Sequence, residues 1–366
     1  MYLLNDIIKT LESIAPPELA EKWDNVGLMI GSRNQPIKKV LCALDINEEV
    51  IEEAIQNNVE CIITHHPLFF KPIHQIDFET PKGRLIKRLI CSHISVYAMH
   101  TNYDSVHGGI NDILCHEIGI GNTKVLHPTY TESRYKIAVY VPEGSWESVR
   151  QALIECGVCS IGNYKGCTFM TQGEGTFIPL EGSNPYLGET GRLEYVKERK
   201  IECIVNEKDI ESALEAIRQV HPYEEPAFDI YRLENLSQVS GFGRYGDLQQ
   251  ELSIEAFIIK LKKIFGLSYV RVTPFKDKTV KRIAVCSGSG AEFIKRASHV
   301  AEVYVTGDLK FHEAQEACAL GLTVIDIGHY ASEHIAMKFL AGEMNNRLKD
   351  LEIRYSLVDG EAIRIQ

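Results

Sequence analysis

The sequence predicts an α/β protein: a layered core with mostly parallel sheets, interrupted by an inserted domain of β-α-β-β-α-β order. Apolar runs of strand length alternate with amphipathic stretches between residues 38 and 119. The same alternation returns between residues 281 and 357, and the texture changes in the segment that separates them. Strands and helices in turn bury a parallel sheet beneath helical layers.

In the first stretch, KKVLCALDI (38–46) reads as a buried strand and NEEVIEEAIQNN (47–58) as an amphipathic helix opened by Asn47. CIITHH (61–66) is a second strand, KGRLIKRLICSH (82–93) a helix, ISVYAMH (94–100) a third strand and INDILCHEIG (110–119) another helix. Near the C-terminus the strands are KRIAVCS (281–287), VYVTG (303–307), LTVIDIG (322–328) and LEIRYSL (351–357). AEFIKRASHV (291–300), FHEAQEACALG (311–321) and SEHIAMKFLAGEMNNRL (332–348) are the helices between them. The two stretches read as parts of one α/β unit.

The middle segment gives strand (YKIAVYVP, 135–142), helix (SWESVRQALIECG, 145–157), strand (CTFMTQGEGTFIPL, 167–180), strand (EYVKERKIECIV, 194–205), helix (KDIESALEAIRQV, 208–220) and strand (AFDIYRLE, 227–234). That order is the ferredoxin-like arrangement. Polar HPTYTES (127–133) and Gly-containing ENLSQVSGFG (234–243) have the composition of linkers on either side. The expected division is a core of residues 1–128 and 237–366 and an inserted domain of residues 129–236.

At 366 residues the chain suits two or three domains, and 45% hydrophobic with 24% charged residues is the balance of an ordinary soluble protein. A net charge of -11 without a long Lys/Arg block argues against nucleic acid as a partner. The basic cluster from Lys276 to Arg282 is broken by Asp277 and reads as a solvated hairpin edge. Ten cysteines follow no framework spacing, and the C-x-x-C at Cys156 and Cys159 has no partner pair, so they read as reduced, mostly buried thiols. The N-terminal stretch has no basic segment of a signal peptide, and no apolar run reaches the ~18 residues of a membrane span, so a cytoplasmic location is expected.

The chemistry starts at His65 and His66. Adjacent residues of a strand point to opposite faces, but at its C-terminal end, just before Pro67, both rings can face the crevice where α/β sheets bind ligands. ISVYAMH runs into HTNYD, which brings Asp104 to a neighbouring strand end. LTVIDIGHYASEH brings His329 and Glu333, four residues apart, onto one side of the first turn of a helix. Three imidazoles and two carboxylates suit Zn above all, with Fe, Mn, Co or Ni as alternatives, and a carboxylate can bridge two divalent metal ions ~3.5 to 4 Å apart. CSGSGAEF (286–293) offers backbone N–H groups to an anion but lacks G-x-G-x-x-G and the P-loop lysine, so it reads as a tightly packed turn. His93, His107, His116 and His334 are set aside as non-ligands.

THHP, HTNYD and GHYASEH in this order, with WDNVGL (23–28) and TGDLKFHEA (306–314), closely resemble the NGG-one-interacting-factor-like family, whose members are often labelled GTP cyclohydrolase I type 2 homologues. The likeness covers the chain outside the middle segment. It implies a dinuclear metal centre in a toroidal homohexamer, with ligands at His65, His66, Asp104, His329 and Glu333. By the same resemblance Glu333 bridges, His66 and Asp104 complete one site, and His65 and His329 complete the other. The middle segment is similar to the trimer-forming PII and CutA proteins, with HPYEEPAFDI (221–230) as the matching signature. The resemblance places WDNVGL beside the metals, so Asp24, Asn25 and His100 are the expected substrate contacts. His312 is the expected general acid/base or orienting partner, alongside Glu333. The implied function is metal-dependent hydrolysis of a small molecule such as a nucleotide, with purine ring opening and formate release as the first case. The alternatives are a two-metal phosphoesterase and a non-catalytic metal-binding or PII-like regulatory ring.

Overall fold

A computed structural model describes residues 2–234, 239–275 and 279–363. Lys276 to Lys278 of the basic cluster and residues 235–238 of the second expected linker lie outside the described residues. The chain forms two compact units, one of residues 1–130 and 240–366 and one of residues 131–239.

The first unit contains two principal sheets. Strand order in the first is Glu352–Tyr355, Lys39–Ala43, Cys61–Thr64, Ser95–Ala98, Gly27–Ile30. Its first three interfaces are parallel and the last is antiparallel. The second sheet runs Arg271–Val272, Thr323–Asp326, Val303–Thr306, Thr279–Val285, Val239–Ser253, Ile120–Thr131. Its two central interfaces are parallel, and those at Arg271–Val272 and Val239–Ser253 are antiparallel. Both sheets are therefore mixed, where mostly parallel sheets were expected. The parallel central strands are joined by helical crossovers, and the edge strand Glu352–Tyr355, which follows the His329–Arg347 helix, is parallel as well; the edge pairings of Gly27–Ile30 and Arg271–Val272 are antiparallel.

The central strands Cys61–Thr64, Ser95–Ala98, Val303–Thr306 and Thr323–Asp326 are buried at every residue, which is what a strand covered on both faces requires. Helix starts follow local chemistry. The Asn47 side chain accepts from Val50 N at 2.8 Å, and Thr80 accepts from Gly83 N ahead of the Pro81–Cys91 helix.

The two expected linkers are in large part strand. Ile120–Thr131 and Val239–Ser253 are neighbours in the second sheet. A Cβ on Gly241 would collide with the His127 carbonyl oxygen, and one on Gly246 with that of Gly121. These glycines admit a close backbone approach; they are not there for flexibility. The C-terminal strand Glu352–Tyr355 joins the first sheet, so the two α/β stretches share strands across two sheets.

The His329–Arg347 helix ties the sheets together. It starts just after the Thr323–Asp326 strand of the second sheet. Its Ala336, Met337, Leu340, Ala341 and Met344 pack with Leu4, Ile7, Ile8 and Leu11 of the Leu4–Ile14 helix in the core under the first.

Arg244 is a second tie. It is 1% exposed, and its guanidinium bonds both carboxylate oxygens of Asp112 and the carbonyls of Gly241, Gly243 and Val106.

In the second unit, strands Thr168–Phe177, Glu194–Asn206, Arg134–Pro142 and Phe228–Leu233 pair in that order, all antiparallel. Helices Trp146–Glu155 and Ile210–Val220 bury Val149, Leu153, Ala213, Leu214 and Ile217 against Ile137, Val139, Val141 and Ile201.

Replacing Arg244 with Met leaves the Asp112 carboxylate and the carbonyls of Ser105, Val106, Gly241 and Gly243 without this donor. We expect Arg244→Met to lower unfolding stability by about 3 to 5 kcal/mol, measured by urea denaturation. A loss below about 1 kcal/mol would show that the brace is dispensable.

Candidate metal centre

Six strands from the two sheets deliver their C-terminal ends to one place. Asp45 follows Lys39–Ala43, His65 and His66 follow Cys61–Thr64, and His100 to Asp104 follow Ser95–Ala98. Ser287 and Gly288 follow Thr279–Val285, Asp308 follows Val303–Thr306, and His329 follows Thr323–Asp326. Open α/β sheets place their chemistry at such ends, and here two sheets do so together.

Each imidazole is aimed by an acceptor on its Nδ1. His65 Nδ1 lies 2.8 Å from the Met99 carbonyl, His66 Nδ1 2.8 Å from Asp45 Oδ1, and His329 Nδ1 2.7 Å from Asp308 Oδ2. These acceptors hold the proton on Nδ1, so Nε2 of the neutral ring presents a lone pair. All three Nε2 atoms face Glu333. His66 Nε2 and His329 Nε2 are each 3.1 Å from Glu333 Oε2, and His65 Nε2 is 3.7 Å from Oε1. Asp104 Oδ2 is 3.8 Å from His65 Nε2, while Asp104 Oδ1 accepts from Ser287 Oγ at 2.9 Å.

Glu333 divides the cluster in two. Its Oε1 faces His65, which also lies beside Asp104, and its Oε2 faces His66 and His329. Within the sets His65, Asp104, Glu333 and His66, His329, Glu333, the ligand atoms lie within 4.8 Å of one another. The pairing differs from the one the motifs implied, which joined His66 to Asp104 and His65 to His329. Beyond the strand end at Thr64 the two rings take different anchors: His65 bonds the Met99 carbonyl and lies by Asp104, and His66 bonds Asp45 and lies by His329.

The donor set fits cations. His65 Nε2 and Glu333 Oε2 are buried without a hydrogen-bond partner. The Nε2 atoms of His66 and His329 are 3.3 Å apart and both lie 3.1 Å from Glu333 Oε2. Unpartnered lone pairs converging on a buried carboxylate are what metal ligation requires.

The sequence matches the Duf34/NIF3 (NGG1p interacting factor 3) family over residues 2–361. The chain belongs to this family. A Bacillus subtilis (strain 168) relative named GTP cyclohydrolase 1 type 2 homolog is 42% identical over 328 residues, covering 89% of this chain and 88% of that protein. A relative of the same name from Halalkalibacterium halodurans is 40% identical over 345 residues, covering 94% and 92%. The crystal structure of a Bacillus cereus protein related to NIF3 superimposes with a TM-score of 0.89 at 38% identity, covering 100% of this chain and 99% of that one.

Beside the cluster of this Duf34/NIF3 chain is a cavity of about 280 Å³, lined by Trp23, His100, His127, Phe242 and Phe293 together with Asp104 and Glu333. His100 Nδ1 bonds Asp24 Oδ1 at 2.9 Å, and its ring lies 5.0 Å from that of His65. Asp24 has no exposed side-chain surface, and its other oxygen accepts from Thr101. The carboxylate for which a substrate contact was expected is therefore engaged by His100 and Thr101. Burial works against its charge, but the bonds from His100 and Thr101 outweigh that and hold it at about 2. Asn25 is engaged likewise, its amide donating to the Phe69 carbonyl at 2.7 Å.

His312 is exposed on the Phe311–Ala319 helix, bonds Gln315 and takes no part in the cluster. The expected proton carrier therefore stands outside the site, because the strand-end turn points Asp308 inward and leaves the following helix facing solvent. The sequence reading missed Asp45, Asp308, Ser287 and Gly288. The signal for the first two was an Asp closing each of the strands in ALDI and TGD. Asp308 sits in the left-handed region at φ 56°, which Asp tolerates. Gly288 lies against Glu333, and a Cβ there would collide with Oε1.

Acidic neighbours also set the proton count. Burial disfavours the charged His66 ring, but Asp45 and Glu333 outweigh it and push it up to about 10; Glu333 raises His329 to about 9. Both values lie above the ordinary 6.5, so without a cation these rings hold protons at neutral pH, and a metal must displace them. Zinc uptake at pH 7 should therefore release protons, and apparent affinity should rise with pH up to about 9 to 10. Calorimetric titration in buffers of different ionisation enthalpy checks this. Uptake without proton release would contradict it.

Proposed function

We propose that this Duf34/NIF3 chain is a metal-dependent hydrolase with two divalent cations, zinc first among them, held by His65, His66, Asp104, His329 and bridging Glu333. The observation that carries the proposal is that Glu333 presents one oxygen to each half of a cluster whose imidazoles are locked with Nε2 inward. Bound at such a site, a cation pair supplies Lewis acidity and brings the pKa of water down toward ~7.

The chain's own residues supply the rest. With Nδ1 committed to Asp24, His100 turns the lone pair of Nε2 to the cavity, where it accepts a proton from the attacking water and returns it to the leaving group. Trp23, His127, Phe242 and Phe293 suit a flat ring, and Phe242 and Phe293 are stacked at 5.9 Å. The names of the relatives point to GTP as the first substrate to test, with opening of the purine ring and release of formate.

The order of strands and helices in residues 131–239 supports a ferredoxin-like insertion similar to PII and CutA proteins. A trimer-forming role for it within a toroidal homohexamer belongs to the same proposal.

Zinc-loaded full-length protein should release formate from GTP and stop when a chelator is added. His100→Asn should lower kcat on the order of 100-fold with the metal content kept. Metal-replete protein that leaves GTP intact would remove this substrate, and full activity in His100→Asn would remove the assigned proton carrier.

A further inference from the structure

The HPYEEP segment has no part in the metal centre, and in the second unit it builds a cavity of its own. His221 is buried, and its Nδ1 accepts from Tyr223 N at 3.1 Å. The proton is thereby on Nε2, which donates to the Tyr140 carbonyl at 3.0 Å. This fixes the turn and sets the Tyr223 ring in place, where its hydroxyl donates to Glu198 Oε1 at 3.0 Å.

Two more rings close around it. Phe177 meets Tyr223 edge-on at 5.7 Å, and Tyr186 is tilted against it at 6.3 Å. The three rings line a cavity of about 350 Å³ together with Glu198, Glu224 and Glu225. Gly175 is also shaped to the site, since a Cβ there would collide with the Glu198 carboxylate. Glu224 is held by Asn184 N at 3.0 Å, which fastens the loop over the strands.

The chemistry of the lining selects the ligand. Three carboxylates and no Lys or Arg among the described lining residues repel an anion. Aromatic walls favour a poorly hydrated ion over a small hydrated metal. Ring faces and carboxylates together attract an organic cation, and the volume is that of a small-molecule site. We propose that Phe177, Tyr186, Tyr223 and Glu198 form a binding site for a small amine or quaternary ammonium ion.

The test is titration of the full-length protein with choline and with its neutral isostere 3,3-dimethylbutan-1-ol, followed by NMR chemical shifts. Choline should bind on the order of tenfold more tightly than the alcohol. Tyr223→Leu and Glu198→Gln should each weaken choline severalfold and leave the alcohol unchanged. Should Tyr223→Leu fail to fold, Tyr186→Leu removes an exposed ring and asks the same question. Equal affinity for choline and the alcohol, or unchanged choline binding in a folded ring variant, would overturn the proposal.

Discussion

A carboxylate with 4% exposure sits at the first turn of the His329–Arg347 helix, and the fold around it is arranged to hold positive charge there. An ionised carboxylate removed from water is destabilising by several kcal/mol unless charges or donors compensate it. Around Glu333 the compensation comes from imidazoles, whose attraction holds its carboxyl well below the usual range against the opposing effect of burial. The second carboxylate responds differently. Burial raises Asp104, and neighbouring Glu333 adds to that, so the pair together favours a cation between them.

That constraint explains the two-sheet construction. No single strand end carries enough donors, and helix geometry alone brings only His329 and Glu333 together. Running the helix from the end of the second sheet into the core of the first fixes Glu333 where both sheets end. Arg244 adds a fully buried tie between the Val239–Ser253 strand and the Ser105 and Val106 carbonyls at the end of the short Thr101–Ser105 helix that bears Asp104. Close packing at Gly288 and the left-handed turn at Asp308 then set the last few tenths of an ångström.

The central strands and the five candidate ligands were legible in the sequence for physical reasons. Strands covered on both faces are continuous apolar runs, and His65, His66 and His329 stand where those runs stop. Which imidazole joins which carboxylate was not legible, because it depends on how the chain turns beyond Thr64. Asp45 and Asp308 passed unnoticed because an acid at a strand end also reads as a turn cap. Gly241 suggested a linker, since the strand it packs against lies more than a hundred residues away in sequence. Asp24 was expected in WDNVGL as a substrate contact, yet its carboxylate is engaged by His100 and Thr101, which only the fold brings to it.

The central claim is that Glu333 bridges two cations, and anomalous diffraction from zinc-soaked crystals tests it most directly. Two peaks should flank the carboxylate, one about 2.0 to 2.2 Å from Oε1 and near His65 and Asp104, the other at like distance from Oε2 and near His66 and His329. A single peak, or none within ligand distance of Glu333, would contradict the account.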